Sequence, residues 1–150
     1  MSVEQLYQEI ILDHYRVKRN AGLRDPYDVE VHHVNPSCGD ELSLRVSVAD
    51  GAISDVSYDA IGCSISQAST SVMSELVIGG TPQHALELYD GFQKMIQGQG
   101  KVSLNEETFG DAVAFEGVAQ FPARVKCAML GWAAVRDALL RVQASAKEES

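Results

Sequence analysis

The sequence predicts an α+β fold: a three-stranded antiparallel sheet with about five helices packed on it. Three observations carry that prediction. Leu42, Leu44, Val46 and Val48 alternate strictly with Glu41, Ser43, Arg45 and Ser47, the period of a strand with one buried face. Asp50-Gly51 is a strong hairpin signal, and Ile53 to Ala60 supplies the returning strand. Beyond Gly62-Cys63 the apolar spacing becomes Ile65, Ala68, Val72, Leu76, which is helical and stops at Gly79-Gly80.

The remaining elements follow in order. Ser2 with Gln5 reads as a capping box, and Val3, Leu6, Ile10 and His14 recur on one face of a helix lasting to about Arg16. Asn20-Ala21-Gly22 and Asp25-Pro26 supply turn chemistry that ends it. Val29, Val31 and His33 alternate with Glu30, His32 and Val34, so a first strand ends at the Pro36 turn, and the three strands share one wet face. Thr81-Pro82 opens another helix, with Ala85, Leu88, Tyr89, Phe92 and Ile96 on its apolar side up to Gly98. Lys101 to Pro122 mixes Glu106, Glu107, Asp111 and Glu116 with Phe109, Val113, Phe115, Val118 and Phe121, which suggests one or two short helices with an acidic exposed side. From Ala123 a helix returns, stepping through Ala128, Trp132, Val135, Leu139 and Val142, with Lys147 to Ser150 as a frayed tail.

At 150 residues the chain matches the common size of one domain, and a single domain over 1–150 is expected. A net charge of -9 argues against a nucleic-acid footprint, which needs clustered Lys and Arg, and suits a basic protein partner better. Three sparse cysteines differ from the dense, even framework of a secreted mini-protein, so a reducing cytoplasm is the expected location. The longest apolar run, Cys127 to Val135, falls far short of the roughly 20 residues a membrane span requires.

The chemistry concentrates on the cysteines. Cys38 and Asp40 lie two residues apart in the turn Asn35-Pro36-Ser37-Cys38-Gly39-Asp40, between two strands. Cys63 and Cys127 each stand immediately before a helical pattern, so a fold gathering the three thiols would aim two helix N-termini at them, favouring thiolate. Three thiolates and a carboxylate suffice for tetrahedral zinc. A lone cysteine is more often a small buried hydrophobe, and that bland reading stands beside the metal one. His14, His32, His33 and His84 read as structural, because an isolated histidine is more often a surface or satisfied core residue, and adjacent His32 and His33 face opposite ways on a strand.

Three ordered motifs carry a resemblance: Cys38-Gly39-Asp40, the stretch Ala60-Ile61-Gly62-Cys63-Ser64-Ile65-Ser66, and the run Phe121-Pro122-Ala123-Arg124-Val125-Lys126-Cys127. Together they resemble the SufU branch of the iron–sulfur cluster assembly family that includes the IscU scaffolds. The resemblance spans nearly the whole chain. It implies a SufE/IscU-like fold, with zinc held by Cys38, Asp40, Cys63 and Cys127. It also implies a zinc-dependent sulfurtransferase, in which Cys38 accepts persulfide sulfur from a pyridoxal-phosphate cysteine desulfurase and passes it toward a Suf cluster-assembly scaffold. Arg124 is implied as a catalytic residue tied to the site. Two departures separate the chain from the scaffold branch: Lys126 stands where scaffolds carry a histidine ligand, and the scaffold branch's Leu-Pro-Pro-Val-Lys chaperone signal is absent. The alternative is a scaffold that builds a cluster on the same three cysteines. A third reading is a binding module in which zinc only completes the fold.

Overall fold

The computed structural model describes residues 2–36 and 39–149, with side chains to residue 144. Helix α1 (Val3–Arg16) starts at the capping box, with Ser2 and Gln5 each accepting the other's backbone N–H. Strands β1 (Val29–Asn35), β2 (Asp40–Ala49) and β3 (Ala52–Ile61) form one antiparallel sheet in the order β1-β2-β3. The β2-β3 turn uses positive φ at both Asp50 and Gly51, +54° and +79°, which matches the twist of the paired strands. Helices α2 (Ser64–Val77), α3 (Pro82–Ile96), α4 (Glu106–Phe109) and α5 (Pro122–Glu149) follow, with a 3₁₀ segment (Gly110–Gln120) between α4 and α5.

The sheet buries the face predicted for it. Val31 on β1, Leu42, Leu44 and Val46 on β2, and Val56 and Tyr58 on β3 point into one core, since cross-strand partners share a face. The opposite face is largely wet. The segment between α1 and β1 covers its β3 side, where Gly22 N–H donates to Tyr58 O and Arg24 N–H to Ser57 Oγ. Arg24 grips both oxygens of Asp55 at 2.6 and 2.9 Å and holds that carboxyl below the usual carboxylate range. Because the folded value is depressed, the stabilisation is present above the ordinary carboxylate range and lost as pH falls through the lowered value. Both groups are partly exposed, so it amounts to less than about 1 kcal/mol.

Three sequence expectations shift. On α1 the buried residues are Ile11 and His14, with Tyr7 and Ile10 packed at the edge of the core, whereas Val3 and Leu6 are exposed, so the packed face is rotated from the expected one. The acidic stretch keeps to expectation, with one short α-helix and one 3₁₀ segment that buries Phe115 against Phe92 of α3. The last helix opens at Pro122, one residue earlier than expected, and continues through Glu149 rather than fraying from Lys147. Cys127 consequently sits in its second turn and not ahead of it.

Close approach of α2 and α5 positions the functional end of the molecule. A Cβ built on Gly131 of α5 would clash with Thr70 Oγ1 and meet Thr70 Cβ at 3.0 Å and Cα at 3.1 Å, while Ser69 Oγ donates to Ala128 O at 2.6 Å. Gly131→Ala gains about 1 kcal/mol of helix propensity. It loses about 1–3 kcal/mol to overpacking, and the overpacking wins because a backbone atom cannot rotate away. Thermal unfolding should therefore shift downward, by about 3 °C per kcal/mol of net loss.

Candidate metal centre

Asp40 is the first residue of β2 and lies on its inward face with Leu42 and Leu44, which explains why a carboxylate at a strand end is fully buried. Cys63 is the N-cap of α2. It makes no side-chain capping bond, so its thiol is free to turn toward the carboxylate. Asp40 takes over the capping role: its Oδ1 accepts the Cys63 backbone N–H at 3.0 Å, while its Oδ2 lies 3.9 Å from Cys63 Sγ. Cys127 reaches the same point from α5; it is buried, with its Sγ 3.8 Å from Ala123 O. The ligand atoms of Asp40, Cys63 and Cys127 all lie within 4.8 Å of one another. Three of the four predicted ligands thus come together. The fourth, Cys38, lies outside the described residues.

This donor set suits zinc. Two sulfurs and a carboxylate oxygen are ordinary zinc ligands, and three of them converge at separations a single ion could span. Asp40 supplies a further indication, since it is a fully buried carboxylate that forms no ion pair among the described residues. Burying an unpaired charge is costly, and a divalent cation would compensate it. The expected arrangement of two helix N-termini is halved. The α2 start does face the cluster through Cys63, but Cys127 lies beyond the first turn of α5, where the field of a helix terminus has already faded.

Gly62 makes room for the carboxylate. A Cβ built there would collide with Asp40 Oδ1 and approach its Cγ to 2.8 Å. Gly62→Ala should displace Asp40 from the thiols, and the measurement is zinc content of the purified chain, expected to fall well below one per chain while far-UV circular dichroism stays unchanged.

The other predicted residues sit at the margins. Arg124 and Lys126 are exposed on the first turns of α5, and neither forms an ion pair among the described residues. Arg124 is three residues before Cys127 on the same helix, so its side chain shares that side of α5. His32 binds Glu41 at 2.8 Å and Ser43 at 2.9 Å on the wet face, and His33 binds Asp137 of α5 at 2.9 Å. Neither His32 nor His33 is grouped with the thiols. Sequence reasoning missed a second grouping, His14 with Glu75 and Asp111, because its members come from three elements and no short motif joins them.

Comparison with known proteins bears on this geometry. Residues 6–128 match the model of the NifU-like N terminal domain. The chain is 38% identical over 139 residues to the iron-sulfur cluster assembly scaffold protein IscU of Streptococcus pyogenes serotype M1, covering 93% of this chain and 86% of that one. It is 37% identical over 141 residues to the zinc-dependent sulfurtransferase SufU of Bacillus subtilis (strain 168), covering 93% of each. A crystal structure from Fervidobacterium islandicum AW-1, of a proposed iron-sulfur cluster assembly scaffold protein for the SUF system, superposes with a TM-score of 0.81 at 36% identity. That superposition covers 92% of this chain and 99% of the other.

Proposed function

Because the chain belongs to the family of NifU-like N-terminal domains, we propose that it is a zinc-dependent sulfurtransferase serving iron–sulfur cluster assembly. It takes persulfide sulfur from a pyridoxal-phosphate cysteine desulfurase and relays it to a cluster-assembly scaffold. The observation that carries the reading is the convergence of Asp40, Cys63 and Cys127, with Cys38 only two residues ahead of Asp40 in the chain. The sulfurtransferase named among the relatives supports it.

Zinc, when bound, would keep its sulfur ligands deprotonated and compensate the buried Asp40 charge. Asp40, Cys63 and Cys127 would hold it. Cys38 is the acceptor, and the residue after it in the chain, Gly39, has a φ of +71°, which favours glycine. In the transfer step the Cys38 thiolate attacks the outer sulfur of the partner's cysteine persulfide. A new sulfur–sulfur bond forms at Cys38, the partner's sulfur–sulfur bond breaks, and the partner's cysteine leaves as a thiolate, so no external oxidant or reductant is consumed. Arg124, exposed on the same side of α5 as Cys127, would offset the negative charge that gathers as two sulfur anions approach.

The test is incubation with desulfurase and cysteine, followed by mass spectrometry that locates the added sulfur. Sulfur on Cys38 with accelerated alanine release supports transfer; unchanged alanine release, or sulfur only on Cys127, defeats it. A scaffold reading draws on the relative named as one. Against it stands Lys126, which cannot supply the imidazole expected of the scaffold branch at that position. Tightly held zinc in protein purified without added metal separates transfer from a reconstitutable chromophoric cluster.

A further inference from the structure

A second set of metal-ligating side chains shares no residue with the thiol cluster. His14 of α1, Glu75 near the end of α2 and Asp111 of the 3₁₀ segment place their ligand atoms within 4.8 Å of one another. Glu75 is twelve residues along α2 from Cys63, about 18 Å at 1.5 Å per residue, so the two sets lie toward opposite ends of that helix. His14 Nε2 is 2.8 Å from Asp111 Oδ2 and 3.8 Å from Glu75 Oε1. The imidazole is fully buried, while both carboxylates are about half exposed. A cavity of about 260 Å³, lined by these three residues with Val72, Leu76 and Gly110, opens beside them. This is an open-sided set, with one nitrogen at the floor, two carboxylates at the rim and room for coordinated water.

Two further residues, Ser71 and Arg19, bear on what the set can hold. His14 Nδ1 lies 2.8 Å from Ser71 Oγ, a buried hydroxyl that could accept an Nδ1 proton, the outer support that metal-binding histidines ordinarily have. Arg19 is the present counter-charge. Its Nε lies 3.0 Å from Glu75 Oε1, its Nη2 3.0 Å from Asp13 Oδ2 and its Nη1 2.8 Å from His14 Nδ1. A guanidinium only donates, so in this arrangement Nδ1 is the acceptor and Nε2 carries the proton directed at Asp111.

We infer that His14, Glu75 and Asp111 form a site for a divalent first-row metal ion of the manganese or ferrous-iron kind, with Arg19 as the internal cation it must displace. Metal at Nε2 shifts the ring proton to Nδ1, where Ser71 Oγ accepts it, and Arg19 swings off that nitrogen while keeping Asp13. One imidazole and two carboxylates suit these metals, whereas the thiol cluster prefers zinc.

The test uses the full chain with zinc already loaded, titrated with Mn²⁺ and followed by the electron paramagnetic resonance of free Mn²⁺. Manganese stands at the bottom of the affinity order for divalent first-row ions and does not displace zinc from thiolates. One Mn²⁺ per chain is expected. Glu75→Gln and Asp111→Asn, at half-exposed positions that the fold tolerates, should each weaken binding by about tenfold or more, as loss of even an outer supporting group does. Arg19→Gln should tighten it, since a competing positive charge is removed. No bound Mn²⁺, binding indifferent to the double Glu75→Gln/Asp111→Asn variant, or weaker binding in Arg19→Gln would each overturn the inference. Sulfur acceptance at Cys38 is not a readout here, so neither result bears on the transfer reading.

Discussion

Replacing Cys38 with serine is expected to abolish sulfur acceptance while leaving the chain folded and zinc-bound. The expectation rests on a division of labour among the donors. Asp40, Cys63 and Cys127 belong to regular elements: the start of β2, the N-cap of α2 and the second turn of α5. Each is fixed by packing that has its own reasons to exist, such as the Ser69 bond to Ala128 and the Asp40 cap on Cys63. Cys38 instead lies outside the described residues, between Asn35 and Asp40 in the chain. Serine keeps the shape of cysteine, so the chain is expected to remain folded, with unchanged far-UV circular dichroism. A serine hydroxyl stays protonated at neutral pH and cannot form a persulfide, so activity should fall to the level of desulfurase alone. Alanine release and intact mass measure the two halves. Cys127→Ser is the contrasting case, because it removes a buried ligand from the cluster and should lose zinc and transfer together. A Cys38→Ser chain that still gains a sulfur atom would show that another thiol is the acceptor.

Much of the architecture is legible because its signals are local. The alternation through β2 and the Asp50-Gly51 turn specify two strands but not their full register: a plain two-residue turn would pair Leu44 with Ser57, and an irregularity between Ser47 and Val48 moves the partner to Tyr58. The capping boundaries of α1 and α3 are equally local, since Ser2 and Thr81 announce them. What the sequence hides is which part of a periodic face meets a neighbour. Val3, Leu6, Ile10 and His14 satisfy a helical period, but the face that packs runs through Tyr7, Ile11 and His14, with Ile10 at its edge. The position of Cys127 within its helix is hidden for a related reason. Arg124 and Lys126 are exposed and break the apolar pattern, so the visible periodicity begins after the helix does. At the candidate centre, Asp40 stands out because Cys38 is its near neighbour, whereas the need for glycine at 62 appears only when the Asp40 carboxylate is seen lying against it. His14, Glu75 and Asp111 are up to 97 positions apart and converge only through the packing of α1 on α2 and the 3₁₀ segment.

Asp40→Asn should reverse its effect on stability depending on whether zinc is present. The side chain is fully buried and no cationic residue among those described compensates it, so in the metal-free chain its negative charge is a cost. Asparagine preserves the shape, and its carbonyl oxygen can still accept the Cys63 N–H that Asp40 Oδ1 accepts at 3.0 Å. The amide nitrogen would then face Cys63 Sγ, a weak acceptor, in place of an anion. Metal-free Asp40→Asn is therefore expected to unfold at a higher temperature than the metal-free parent. With zinc the order inverts. The parent gains stability from an ion that binds the folded chain and not the unfolded one, about 2.7 kcal/mol when free zinc is a hundredfold above the dissociation constant. The variant offers a neutral amide where zinc prefers a carboxylate and should gain far less. Thermal unfolding of both chains, after chelation and after zinc addition, gives the four values required. Crossing curves would mark Asp40 as a ligand whose charge is placed for the metal. If chelation shifts parent and variant equally, the carboxylate serves only as the cap of α2, and the zinc-holding role assigned to it fails.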